Sequence, residues 1–220
     1  MDTRKYGTCF FEQYAQITLA ALLGTEFDGL VNRDRPDLQS SDGRSVGIEV
    51  TRAMEESARA AKGMLKGVAG LTPPADNGDD ELERILENGY AYGLQRGKYI
   101  GHNELEYWSM ALPLRRILES KIAKVGNGFY GHFDKMGLYV FCKDPIRETE
   151  ALRTLHFAMG LQKYQDLRYD RLYLSEVSSL YVCNLEDGLR DSSRLIRLPI
   201  TQSQRKAFYM EAIRRQLGEN

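Results

Sequence analysis

From Val46 to Thr51 apolar and polar side chains alternate without a break. Val46, Ile48 and Val50 point one way, and Gly47, Glu49 and Thr51 point the other. A period of two is that of a strand with one buried face. Just upstream, Asp42-Gly43 is a turn dipeptide, because glycine takes positive φ without steric cost and aspartate tolerates it. Residues 35–52 therefore read as a β-hairpin. Asp37 stands on the first arm after Pro36, and Glu49 on the second. The turn decides their relation. A two-residue turn pairs Ser41 with Arg44 and sends the two acids to opposite faces. A three-residue loop pairs Ser40 with Arg44 and brings both to one face. The sequence permits either.

The same reading extends along the chain. Residues 10–23 carry Phe10, Tyr14, Ile17 and Ala21 at helical spacing, and Gly24 is a fitting stop. Residues 26–31 suggest a short strand. Residues 53–69 and 81–96 have helical composition, separated by a loop at 71–80 that holds Pro73, Pro74, Asn77 and Gly78 and followed by a break at 97–102. Residues 103–125 form a second long helical stretch that Pro113 should kink or restart. Together, residues 53–125 look like a helical insertion into a smaller core. Residues 136–142 are almost wholly apolar, as expected of a central strand buried on both faces and paired in parallel. A helix at 148–159, strands at 171–175, 179–184 and 195–200, and a helix capped by Thr201 and running to Leu217 complete the chain. The expectation is an α/β fold, a mixed central sheet flanked by helices, in a single domain of residues 1–220.

One helix breaks its own pattern. After Pro113, at about 100° per residue, Leu114, Ile117, Leu118 and Val125 share a face that Ile122 borders. Lys121 falls in the middle of that face and Lys124 at its edge, whereas Arg115, Arg116 and Glu119 lie elsewhere. A lysine centred on an apolar stripe must snorkel to water or meet a carboxylate, since an unpaired buried ammonium is costly. On the first helix, Glu12 reads as an exposed carboxylate, although it lies close to the Leu19 and Leu23 rows, which can draw its head inward.

Composition narrows the choice of chemistry. The chain has 220 residues, 42% hydrophobic and 28% charged, with a net charge of −1. That is ordinary for a soluble globular protein and gives no bulk basic field, so a nucleic-acid partner would need a local patch. Three cysteines, Cys9, Cys142 and Cys183, lack metal-ligand spacing and fit free thiols in a reducing compartment. His102, His132 and His156 are scattered and suggest no zinc site. The N-terminus has no apolar signal core and no run approaches a membrane span, so the expectation is a cytoplasmic protein with no membrane partner. Gly126-Asn127-Gly128-Phe129-Tyr130-Gly131 matches G-x-G-x-x-G but follows a helix and precedes a strand, the reverse of a dinucleotide site, and reads as a flexible turn.

The stretch from Pro36-Asp37 to Glu49 resembles the PD-(D/E)xK, or restriction-endonuclease-like, nuclease superfamily. Pro36-Asp37 matches the family's PD and Glu49 its second acid. Thr51 stands where the family has lysine; some branches carry Glu-x-Thr and recruit a basic residue from elsewhere. The resemblance implies a restriction-endonuclease-like core and a Mg²⁺- or Mn²⁺-dependent nuclease acting on DNA or RNA. Asp37 and Glu49 would be metal ligands, with the Val50 carbonyl as a third. Lys121 is the candidate for the displaced lysine, orienting the attacking water or neutralising charge on the phosphate, with Lys124 and Arg52 next in line. A first-helix glutamate, here Glu12, sometimes joins the metal site in the family. The alternative is a catalytically inactive nuclease-like module used for nucleic-acid binding or assembly. The oligomeric state, a homodimer included, is open.

Overall fold

A computed structural model describes residues 3–53, 94–95, 98–99, 102–142, 145–176, 178–190 and 193–217. In chain order its elements are α1 (Thr3–Leu23), a 3₁₀ turn (Thr25–Phe27), β1 (Val31–Asn32), β2 (Leu38–Gln39), β3 (Val46–Ala53), β4 (Leu94–Gln95), β5 (Lys98–Tyr99), α2 (His102–Gly126), β6 (Lys135–Cys142), α3 (Glu148–Gln162), β7 (Arg171–Ser175), β8 (Ser179–Asn184), β9 (Leu195–Pro199) and α4 (Gln202–Leu217). The chain divides into two compact units. One is Met1–Arg52 with Leu118–Asn220, and the other is Ala53–Ile117.

The first unit is built on a mixed sheet of seven strands in the order β1-β2-β3-β6-β7-β8-β9. The meander β1-β2-β3 is antiparallel, β6 and β7 run parallel, and β7-β8-β9 return to antiparallel. The parallel pair needs a crossover, which α3 supplies. Asp134 and Lys135 donate their backbone N–H groups to the carbonyls of Arg44 and Ser45 at 2.9 and 3.0 Å, so β3 and β6 begin side by side. The strand read from residues 136–142 is thus central, with Met136 to Val140 all buried.

Alternation sorts the core. Ile48, Leu38, Tyr139 and Tyr173 pack with Ala15 and Leu19 of α1 and Phe208 and Ala212 of α4 in one cluster. Leu118, Ile122 and Val125 of α2 and Ala151, Leu155 and Ala158 of α3 are buried outside that cluster. Glu49 alternates with Ile48, so it points away from α1 and α4, toward the side on which α2 from Leu118 onward is buried.

Several expectations need correction. Residues 26–31 are not one strand. Thr25–Phe27 makes a 3₁₀ turn closed by Phe27 N–H to the Gly24 carbonyl, and pairing begins only at Val31. Gly24 and Gly29 have φ of 91° and 77°, which bends the chain where a strand would run straight. Of the two effects expected of Pro113, the restart does not occur: helix α2 is one helix through it, since one lost backbone donor does not by itself end a helix. In the second unit, the helix expected over 81–96 does not reach its end, because Leu94–Gln95 pairs antiparallel with Lys98–Tyr99 across the break. Ala53, the first residue of the helix expected at 53–69, ends β3 instead; residues 54–69 and the loop at 71–80 lie outside the described residues. At the C-terminus the cap is as expected: Thr201 Oγ1 accepts from Gln204 N–H at 3.2 Å, and Gln204 Oε1 accepts from Thr201 N–H at 2.9 Å.

Candidate functional site

The site begins with the hairpin register. Leu38 lies opposite Ile48 and Gln39 opposite Gly47. One step further sets Asp37 opposite Glu49, and directly opposed residues share a face. The connecting loop is longer than either expected turn. Ser40 N–H bonds to the Val46 carbonyl at 2.9 Å, so the loop spans residues 41–45. Asp42 organises it: its carboxylate accepts from the N–H groups of Arg44 and Ser45 at 2.9 and 3.0 Å and from the hydroxyls of Ser40 and Ser45. The Ser40 hydroxyl, followed by those Ser45 and Arg44 donors, holds the Asp42 carboxyl well below the usual carboxylate range. The loop therefore has the parity that the three-residue version would give, by a different path.

Asp37 is half-buried and accepts a 2.7 Å bond from the Val50 N–H on Oδ2. Burial, then the Glu49 charge beside it, push its pKa up to about 7, against the smaller opposing pull of the Val50 N–H. Glu49 is 7% exposed. Glu12 is no surface carboxylate: it too is 7% exposed, and the Asn32 amide donates to its Oε2. Burial raises its pKa, opposed by Asn32 and reinforced by Glu49. The apolar rows of α1 carry this residue inward, and β1 brings Asn32 to receive it. Three carboxylates, from α1, the residue before β2 and β3, thus influence one another electrostatically.

The cation among them is Lys121. Its Nζ lies 2.5 Å from Glu49 Oε1, with side chains 18% and 9% exposed. The off-pattern lysine of α2 therefore ends on the carboxylate and not in bulk water. Thr51, on the Glu49 face of β3, is half-buried. Val50 touches Asp37 through its amide N–H. Lys124 is exposed and turns to the ring of Phe129, with Nζ 5.3 Å from the centroid. The Arg52 side chain lies outside the described residues.

Sequence reasoning missed Tyr130 and Tyr169. Tyr130 is 4% exposed, and its buried hydroxyl makes no hydrogen bond of ordinary geometry. Burial and the Glu49 charge keep it protonated, and Tyr169 is its aromatic neighbour at 6.4 Å between centroids. The Tyr169 hydroxyl reaches the Lys121 carbonyl at 3.5 Å. The available signal was the pair Phe129-Tyr130 inside a glycine-rich turn. Such a turn has little reason to carry two large rings unless one of them has a surface to cover.

Comparison with protein-family models, with curated proteins and with solved structures returned no match. Among the described residues, no three His, Cys, Asp or Glu side chains form a ready-made metal cluster. No described helix is long and apolar enough to cross a membrane.

Proposed function

We propose that this chain is a divalent-metal-dependent nuclease with a restriction-endonuclease-like core, hydrolysing phosphodiester bonds of DNA or RNA. The observation that carries the reading is the convergence of Asp37, Glu49 and Lys121: two opposed carboxylates on one sheet face, with the ammonium 2.5 Å from one of them. The order of helix, three-strand meander, helix and strand in the first unit agrees with it.

The donor set fits a hard cation. Asp37, Glu49 and Glu12 are three acids close together; burial first, then the Glu49 charge, raise the pKa values of Asp37 and Glu12, and Lys121 is a single positive charge among them. The described hydrogen bonds occupy Asp37 Oδ2, Glu49 Oε1 and Glu12 Oε2, one oxygen of each carboxylate. Mg²⁺ and Mn²⁺ favour such oxygen ligands. Asp37 and Glu49 would hold the ion, with the Val50 carbonyl as a third ligand and Glu12 beside them. Bound there, it would polarise a scissile phosphate and lower the pKa of an attacking water. Lys121 takes the place left uncharged by Thr51, orienting the water or offsetting negative charge that grows on the phosphate oxygens.

The test is a Mn²⁺ titration read by calorimetry and melting temperature, together with a cleavage assay on DNA and RNA. Wild type should bind Mn²⁺ and cleave, and Asp37→Ala and Glu49→Ala should each lose both while remaining folded. Wild-type Mn²⁺ affinity in either variant removes that residue from the ligand set. One observation favours a second reading, the inactive module: the Lys121 ammonium already supplies Glu49 with a positive partner. A chain that binds nucleic acid, ignores Mg²⁺ and Mn²⁺ and cleaves nothing would establish it.

A further inference from the structure

Phe129 stands in the turn after α2 and is 45% exposed. A single exposed ring needs no explanation. What sets this one apart is that two cations from separate elements converge on it. The Arg35 guanidinium carbon is 4.9 Å from its centroid and the Lys124 ammonium 5.3 Å. Arg35 has φ of 68°, a left-handed conformation that residues other than glycine rarely adopt, and outliers of this kind gather at functional sites. Its nearest described anion is the exposed Asp34, at 3.5 Å.

Each member of this group is tied to one member of the acidic site. Arg35 is separated from Asp37 by Pro36 alone. Lys124 lies on α2 within a turn of Lys121, where residues three apart are neighbours. Phe129 meets Tyr130 edge to face, with centroids 5.2 Å apart, and Tyr130 is the ring that feels the Glu49 charge. The buried Tyr130 hydroxyl interacts with Glu49 and Tyr169, so the ring that meets Phe129 also borders the acids.

We propose that Phe129, with Arg35 and Lys124 over its ring, is a stacking platform for an unpaired nucleobase beside the acidic site: the base takes the place of a cation on the ring, and the cations hold the adjoining phosphates. The proposal rests on the nuclease reading and deepens it: the substrate is single-stranded, or presents a base drawn out of its duplex. A flat ring serves any base through its π face, and bases inside a duplex have both faces already stacked. The cations supply a local positive patch on a chain of net charge −1.

The experiment uses the full chain without divalent ions and oligonucleotides carrying 2-aminopurine, as single strands of DNA and of RNA and as the DNA duplex. Binding of the single strands should quench the 2-aminopurine, and the duplex should bind more weakly. Phe129→Leu keeps apolar bulk and removes the π face. It should weaken single-strand binding about 5- to 100-fold and abolish the quenching, whereas Phe129→Trp restores both. Arg35→Ala and Lys124→Ala should each weaken binding and make the slope of log K against log salt shallower by about 0.7. Leucine at 129 binding like wild type, no quenching in wild type, or a duplex bound as tightly as the single strand each overturns the platform. The nuclease reading fails separately. A chain that stacks 2-aminopurine but never cleaves with Mg²⁺ or Mn²⁺ keeps the platform and loses the nuclease, whereas cleavage indifferent to Phe129→Leu does the reverse.

Discussion

Asp37 is an acid held where its ionised form is unwelcome. Its pKa stands at about 7 in the folded chain against an ordinary 3.8. The folded state therefore keeps a proton that the unfolded state releases, and stability falls as pH rises from about 4 to about 7, then levels off. Asp37→Asn removes the charge, while its amide oxygen can still accept from Val50. Its stability advantage over wild type should be absent near pH 3.5, grow across that window and reach on the order of 1–3 kcal/mol at pH 8, less than the full linkage value because water reaches a half-buried group. Denaturant titrations at several pH values measure this. Added Mn²⁺ should shrink the difference at pH 8 by stabilising wild type alone. A pH-independent difference would mean that the carboxyl is not strained by its neighbours.

At the scale of elements, the hairpin depends on a loop side chain. Asp42 gathers two backbone N–H groups and two hydroxyls, and the loop it shapes sets the parity that places Asp37 opposite Glu49. Asp42→Ala should speed amide hydrogen exchange at Arg44 and Ser45 and lower Mn²⁺ affinity, although Asp42 would ligate nothing. Unchanged exchange at those amides would show that the strands, and not the loop, hold the register. Three elements were legible in the sequence because their signals are local: the alternation of β3, the apolar run of β6 and the Thr201 cap of α4. The loop was not, because a side chain competing for backbone donors changes its length without changing the hydrophobic pattern. Lys121 could be found because a charge on an apolar stripe demands a partner. The burial of Glu12 was harder to see, because it depends on Asn32, brought near by β1 after a 3₁₀ turn that the pattern does not announce.

Over the whole molecule, the pair that completes the site joins residues 72 apart in the chain. Nothing else described supplies Glu49 with a cation. Lys121→Met leaves a buried carboxylate alone and should cost about 3 kcal/mol or more by chemical denaturation. Mg²⁺ should recover a larger share of stability in this variant than in wild type, since the ion would supply the missing positive charge. A Lys121→Met chain as stable as wild type would place Glu49 in water and weaken the case for the site. The long separation also matters while the chain is being made. A ribosome releases the β2-β3 hairpin well before α2, so the two acids leave it with no ammonium to meet. The docking of α2 brings Lys121 to Glu49, and the same event installs the lysine proposed to act on substrate. An unfinished chain thus carries the acids without the lysine, and cleaving competence would arrive together with the completed fold.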